Sequence, residues 1–95
     1  MTDERRAVDR RLARIEGQVR GLRRLVSEKA YCGDLLTQLA AVRSALDQVA
    51  ATVTVHHIKH CVVGHGSDAS HPTAQAMSRD DLLDELDDLL KRLVR

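Results

Sequence analysis

Apolar residues recur every three or four positions along two long stretches of the chain, a spacing that places them on one side of an α-helix. The first stripe contains Val8, Leu12, Ile15, Val19, Leu22 and Val26. The second stripe contains Leu35, Leu39, Val42, Leu46, Val49 and Val53. The two stripes predict helix one over about residues 3–29 and helix two over about residues 32–62.

The last third of the chain predicts a loop followed by a shorter helix. Residues 64–77 hold two glycines, two serines and the single proline without any apolar period, which is typical of a loop. Ser78 and Asp81 then have the spacing of a helix capping box. A further stripe contains Leu82, Leu86, Leu89 and Leu93. It predicts helix three over about residues 79–94, so we expect residues 1–95 to form one all-α domain of three helices.

A hairpin of two amphipathic helices leaves part of each apolar stripe uncovered. A chain of 95 residues also has little core of its own. In the simplest arrangement a second copy covers the open side, which gives an antiparallel four-helix-bundle homodimer. The acidic third helix then either covers an end of the bundle or mediates further assembly.

Charge is unevenly distributed, although the formal net charge is only +1. Residues 1–30 carry nine Lys and Arg against five Asp and Glu, whereas residues 78–95 carry four against six. The arginines of helix one form either a solvated face or a surface that binds the phosphates of double-stranded DNA. Tyr31 is the single aromatic residue, which argues against the base-stacking platforms of RNA and single-strand binders.

The N-terminal residues lack the apolar segment of a secretion signal, and no run approaches the roughly 18 apolar residues of a membrane span. We therefore expect a cytoplasmic protein without membrane contact. In that reducing compartment, Cys32 and Cys61 are expected to be thiols that bind a metal or react, rather than a disulfide.

The two cysteines point to a site shared between protomers. They are 29 residues apart on helix two, which corresponds to roughly 43 Å, so one protomer cannot use both in one site. If two copies of helix two cross antiparallel near Ala45 and Leu46, Cys32 of one copy approaches His57 and Cys61 of the other. His57 and Cys61 are four residues apart and share a helix face. Two thiolates and one imidazole are a soft, low-coordinate set that suits Cu(I) better than zinc.

Other histidines leave the ligand set open. A single His or Cys on an apolar helix is more often a packing residue than a ligand, but the density of HHIKHC at 56–61 favours a site. His56 and His60 lie closer to the apolar seam, so either is a packing residue or a ligand in place of a neighbour. His65 and His71 fall in the predicted loop and are interpreted as solvated.

Four segments carry a resemblance to a known family. They are RIEGQVRG at 14–21, YC at 31–32, TQLAAVRSAL at 37–46 and H-x-x-H-C at 57–61. Over residues 10–62 the chain resembles the copper-sensing operon repressor (CsoR) family. The resemblance implies a dimer of dimers, with Cu(I) bound by Cys32 of one subunit and by His57 and Cys61 of the other.

The resemblance also implies roles for residues around the ligands and on the DNA-binding surface. Tyr31 and Glu85 match residues that surround the metal ligands, although Asp81 or Asp84 is an alternative to Glu85. Arg11 matches a DNA-contacting arginine of the family. Its neighbours Arg10 and Arg14 are further candidates for DNA binding, and Arg43 on helix two is a weaker one. Gln48 stands where some copper sensors carry an arginine, which is a departure from the family pattern.

The function implied is that of a repressor, not an enzyme. The apo protein, as a homodimer and homotetramer, binds double-stranded operator DNA, and Cu(I) releases it. The presence of all three candidate ligands favours copper over the other inducers of the family, which are nickel or cobalt, zinc, formaldehyde and persulfide. A copper-buffering protein is a further alternative, but it has no need of an arginine-rich helix.

Overall fold

The computed structural model describes residues 3–94 of the chain. Those residues form helices and connecting turns without a β-strand, so the all-α expectation is confirmed. The elements are α1 (Asp3–Ser27), α2 (Cys32–His57), a π-helix (Ile58–Val63), α3 (Pro72–Gln75) and α4 (Arg79–Leu93). The chain divides into two compact units, of which the first ends at Val53 and the second begins at Thr54.

In the first unit, α1 and α2 form a helical hairpin, because only residues 28–31 connect them. The buried residues of their core are Ile15, Val42 and Val49, with Val8, Leu22 and Ala45 partly buried against them. The members from α1 are seven residues apart, as are Val42 and Val49. A heptad interval keeps residues on one side of a helix, so one row of each stripe packs inside the hairpin.

The second row of each stripe stays exposed in the single chain. Its members are Leu12, Val19 and Val26 on α1, and Leu39, Leu46 and Val53 on α2. Leu46, near the middle of α2, keeps 45% of its surface exposed, and Leu39 keeps 51%. Each helix of the hairpin therefore has one apolar row that packs in the core and one row whose side chains keep 41 to 63% of their surface exposed.

The turn after α1 has the hydrogen bonds of a Schellman motif. The Ala30 N–H donates to the Leu25 carbonyl at 3.0 Å, and the Lys29 N–H donates to the Val26 carbonyl at 3.1 Å. Lys29 has a φ of +56°, in the left-handed region where glycine is usual. The motif ends α1 and directs the chain into α2.

The end of helix two differs from the sequence-based expectation. The α-helix stops at His57, and residues Ile58–Val63 form a π-helix in place of further α-helical turns. Its last bond joins the Gly64 N–H to the Lys59 carbonyl at 3.2 Å, five residues back. The consecutive residues Cys61 and Val62 are both buried, and a wider turn reduces the angle between successive side chains. Apolar periodicity cannot resolve a single turn of this kind.

Gly64 ends the π-helix because a larger residue does not fit. A Cβ at this position would lie 2.9 Å from the carbonyl oxygen of His60 and 3.2 Å from that of Lys59. Any other residue would push the chain away from these carbonyl groups, so glycine permits the close turn that follows.

The core of the second unit forms around the π-helix. Its buried residues are Cys61, Val62, Ala74 and Leu82, and Met77 packs against them. Ala74 belongs to α3, a short helix inside the segment that the sequence predicts as a loop. The His71 Nδ1 atom accepts a hydrogen bond from the Thr73 N–H at 3.1 Å, and Pro72 occupies the first helical position. One helical turn is too short to produce an apolar period.

α4 begins at a side-chain cap and shows the expected amphipathic pattern. The Asp81 N–H donates to the Ser78 hydroxyl oxygen at 3.1 Å. Lys91 donates to Asp87 four residues earlier at 2.8 Å, and this bond raises the pKa of the lysine. Within residues 3–94, none of the helices combines the length and the apolarity that a bilayer span requires.

Candidate functional site

Two of the candidate ligands lie together at the junction between α2 and the π-helix. His57 is the last residue of α2, and Cys61 follows four residues later inside the π-helix. The His57 Nε2 atom is buried and has no hydrogen-bond partner among residues 3–94. Cys61 is a buried free thiol. A buried imidazole nitrogen without a hydrogen bond destabilises the fold unless a ligand binds to it. A thiolate four residues away is a ligand type that soft metal ions prefer.

The third candidate ligand is at the other end of the same helix. Cys32 is the first residue of α2, and its thiol is free and exposed. Since α2 is a continuous helix of 26 residues, it extends about 39 Å between its ends. His57 and Cys61 are thus four residues apart in the chain, whereas Cys32 is 25 residues before His57.

Tyr31 and Gly33 flank the Cys32 thiol. The Tyr31 carbonyl accepts the N–H of Asp34 at 3.0 Å, which starts α2, while the phenol side chain is exposed. A Cβ at Gly33 would lie within 3.0 Å of ring atoms of Tyr31. The absence of a side chain at Gly33 lets the phenol ring lie over the first turn of α2, a relation that sequence reasoning missed.

The other histidines differ in their surroundings. His56 and His60 have ring centroids 4.4 Å apart with a tilt of 48° between the ring planes. His65 is half-buried, and its Nε2 atom lies 2.6 Å from the Met77 carbonyl oxygen. His65 therefore joins the loop to the segment that precedes α4, and the interpretation of it as a solvated residue does not hold. His71 is exposed, but it caps α3.

The acidic residues proposed to surround the metal ligands are all on α4. Glu85 is exposed, and so are the alternatives Asp81 and Asp84. Of these, only the backbone of Asp81 has a defined structural role, through its bond to Ser78. All three carboxylates are exposed in the single chain, so none of them is distinguished by burial.

The arginine-rich surface belongs to α1. Arg10, Arg11 and Arg14 are exposed on it, and Arg43 is exposed on α2. The Arg11 Nη1 atom donates to the Thr52 hydroxyl oxygen at 3.5 Å. That hydroxyl group itself donates to the Gln48 carbonyl at 3.0 Å, which fixes its orientation. A hydroxyl group on α2 thus lies within hydrogen-bond reach of one guanidinium group of the basic surface, a contact that the sequence pattern did not predict.

An all-helical chain with free thiols, clustered histidines and a basic helix is the type of protein found among metal-responsive DNA-binding regulators. The family described as metal-sensitive transcriptional repressor matches residues 4–92. The chain belongs to this family, and the resemblance identified in the sequence is confirmed.

Individual relatives are copper sensors. The chain is 45% identical over 73 residues to the copper-sensing transcriptional repressor RicR of Mycobacterium tuberculosis, covering 70% of this chain and 76% of that protein. It is 44% identical over 59 residues to CsoR of Bacillus subtilis, covering 62% of this chain and 58% of that protein. Less than two thirds of the Bacillus protein is therefore matched.

A solved structure covers the whole of this chain. The crystal structure of the copper-sensing repressor CsoR with Cu(I) from Geobacillus thermodenitrificans superimposes with a TM-score of 0.81 at 34% identity. The superposition covers 100% of this chain and 92% of that one. The helical fold is therefore that of the repressor family.

Proposed function

We propose that this protein is a Cu(I)-responsive transcriptional repressor. The apo protein binds double-stranded operator DNA through the basic surface of α1, and Cu(I) binding between two protomers releases the DNA. Cys32 of one protomer and His57 and Cys61 of the other are the ligands. The named activities of the relatives support this function.

The observation that carries the proposal is the pair His57 and Cys61. The Nε2 atom of His57 is buried without a hydrogen-bond partner, and the Cys61 thiol four residues later is free and buried. A Cu(I) ion bound there would complete the coordination of the nitrogen and use the thiolate, which is the ligand type that Cu(I) prefers. These two residues therefore fit the metal, and one more thiolate completes a three-coordinate set.

Cys32 of a second protomer is the proposed source of that thiolate. The length of α2 prevents a chain from bringing its own Cys32 to its own His57. The exposed row of Leu39, Leu46 and Val53 runs along α2 and requires an apolar partner. Antiparallel contact between two copies of α2 covers this row and generates two equivalent sites, one at each end. Two such dimers then form the homotetramer.

The neighbours of the site act on its ligands. Tyr31 precedes Cys32 in the chain, and its phenol ring lies against the backbone of Gly33, so we assign it to the surroundings of the Cys32 thiol. Glu85, on α4, is the acid that we assign to the surroundings of the ligands. α4 contacts the π-helix that contains Cys61, so a shift in the ligand can reach α4 directly.

The DNA-binding surface consists of Arg10, Arg11 and Arg14 on α1, with Arg43 on α2. These guanidinium groups are exposed and bind phosphate oxygens, which makes the affinity depend strongly on salt. Specificity then comes partly from the shape of the duplex. No enzymatic activity is part of the proposal.

Thr52 gives the two functions a physical connection. Its hydroxyl oxygen accepts a 3.5 Å hydrogen bond from the Arg11 guanidinium group, and it lies five residues before His57 on the same helix. A metal-induced rotation of α2 would move the Thr52 hydroxyl group and with it the phosphate-binding group. Because the metal and the DNA favour different positions of α2, each ligand weakens the binding of the other by the same free energy. A coupling of about 3 kcal/mol changes DNA affinity by roughly 150-fold.

The direct test is an anaerobic titration of the reduced protein bound to a labelled fragment of its upstream DNA. Cu(I) is expected to release the wild-type protein at about one ion per protomer. Zn(II) is expected to be far less effective. The Cys32→Ala variant should remain bound to DNA under Cu(I). DNA that stays bound to the wild-type protein, or that never binds it, would refute the inducer or the repressor assignment respectively.

Mixed oligomers test whether the site is shared. Neither Cys32→Ala nor His57→Gln alone should bind Cu(I) with wild-type affinity. A co-refolded equimolar mixture contains heterodimers in which one of two sites is intact, so tight binding returns at about a quarter of the wild-type stoichiometry. If the mixture binds no more Cu(I) than the separate variants, the ligands do not come from different protomers.

A further inference from the structure

The pair His56 and His60 lies beside the proposed Cu(I) ligands but is not part of them. Both side chains are half-buried, and their ring centroids are 4.4 Å apart. Their metal-ligating nitrogen atoms lie within 4.8 Å of one another. Two imidazole groups four residues apart on a helix form a chelating arrangement, because both project from the same side.

We propose that His56 and His60 form a second metal site, which takes a divalent transition-metal ion such as Ni(II), Co(II) or Zn(II). Imidazole nitrogen is a ligand for these ions, whereas the thiolate-rich set at Cys61 selects Cu(I). Water completes the coordination of the divalent ion. The two sites therefore differ in the kind of metal that they accept, although they lie in neighbouring positions.

The position of this pair gives the site a regulatory consequence. His56 lies in the last turn of α2 and His60 lies in the π-helix, so an ion held by both fixes the junction between these elements. His57 directly follows His56 in the chain, and Cys61 directly follows His60. A divalent ion bound by His56 and His60 therefore restrains the backbone to which His57 and Cys61 belong. Because those two residues are the proposed Cu(I) ligands, the divalent ion changes the affinity for Cu(I). By reciprocity, Cu(I) changes the affinity for the divalent ion by the same factor.

The test uses the full chain without DNA, reduced and anaerobic, in a Cys32→Ser background. Cys32 is exposed, so its replacement removes a competing thiolate without a loss of packing. Co(II) is titrated while its absorption spectrum and the heat of binding are recorded. We expect one ion per protomer with ligand-field bands of nitrogen and oxygen ligands, and no thiolate-to-metal charge transfer.

Two variants and one control locate the ion. His56→Gln and His60→Gln should each weaken Co(II) binding by about tenfold or more, because the chelate is lost. His71→Asn serves as the control, since asparagine retains the cap of α3 and its affinity should match the background. Unchanged affinity in both glutamine variants overturns the proposal.

The spectrum of the background protein decides the ligand class even if a glutamine variant folds poorly. Thiolate charge transfer in the first equivalent would place the ion on Cys61 and would also overturn the proposal. The existence of the divalent site is tested without DNA or copper, so its failure and the failure of the Cu(I) function are distinguishable. The effect of the divalent ion on the affinity for Cu(I) rests on the proposed function.

Discussion

Leu82 provides the sharpest test of how the second unit supports the site. Its side chain is 1% exposed and belongs to a core in which, among residues 3–94, four are buried, one of them Cys61. Replacement of Leu82 by alanine leaves a cavity that so small a core cannot fill by rearrangement. We expect the free energy of unfolding to fall by about 3 kcal/mol.

The same substitution should expose the buried thiol. If Cys61 becomes reactive only when the second unit opens locally, a loss of about 3 kcal/mol increases its reaction rate by roughly 150-fold. The assay combines urea denaturation with the kinetics of thiol modification by Ellman's reagent. Cys32 is exposed and provides an internal reference that should react at an unchanged rate.

Leu83→Ala is the matched control, because Leu83 is the next residue of α4 and is 49% exposed. Its effect should be about 1 kcal/mol or less, with little change at Cys61. Equal effects of the two substitutions would refute the proposed core. A destabilised Leu82→Ala protein in which Cys61 remains slow would show that the thiol does not depend on this core.

The remaining predictions concern assembly, the turn after α1 and the DNA surface. Leu46→Glu places a charge in the exposed apolar row and should raise the dimer dissociation constant by at least about a hundredfold in sedimentation experiments. Ala51→Glu, on the opposite side of α2, should leave this constant unchanged. If both variants dissociate equally, the row that contains Leu46 is not the dimer interface. Lys29→Gly relieves the left-handed backbone and should raise the free energy of unfolding by about 0.5 kcal/mol, so a loss of stability in urea would contradict the Schellman assignment. Arg11→Ala should lower the slope of log DNA affinity against log salt concentration by about one. Arg92→Ala on α4 should leave DNA binding unchanged. An unaltered slope for Arg11→Ala would show that Arg11 does not bind a phosphate group.

The sequence predicted the features that depend on long repeating patterns. The heptad stripes identified α1 and α2, and family membership followed from segments such as RIEGQVRG at 14–21 and was confirmed. Ser78 marked the start of α4, because a hydroxyl group at an N-cap satisfies an otherwise unpaired N–H.

Features built from one turn or from one contact were beyond sequence reasoning. The π-helix at Ile58–Val63 and the four residues of α3 are shorter than the interval that periodicity needs. The stripes indicated that part of each would stay uncovered, but not which members pack inside the hairpin. The contact between Arg11 and Thr52 depends on the packing of two helices, which a linear pattern does not contain.

The candidate metal site was predicted only in part from the sequence. Residue type and spacing selected Cys32, His57 and Cys61, and the unsatisfied nitrogen of His57 gives one of them independent support. Their joint role stays a prediction, because it depends on a second copy of the chain. The same holds for the arginines and for Glu85.

The burial of Cys61 has an evolutionary consequence. Cys61 fills space beside Val62 and Leu82, whereas Cys32 occupies an exposed helix end. A mutation at Cys32 removes only a donor atom, but a mutation at Cys61 also disturbs a core that has few other members. A lineage that abandons copper sensing can thus change Cys32 in one step, while Cys61 is expected to persist as a packing residue long after its chemistry is no longer selected.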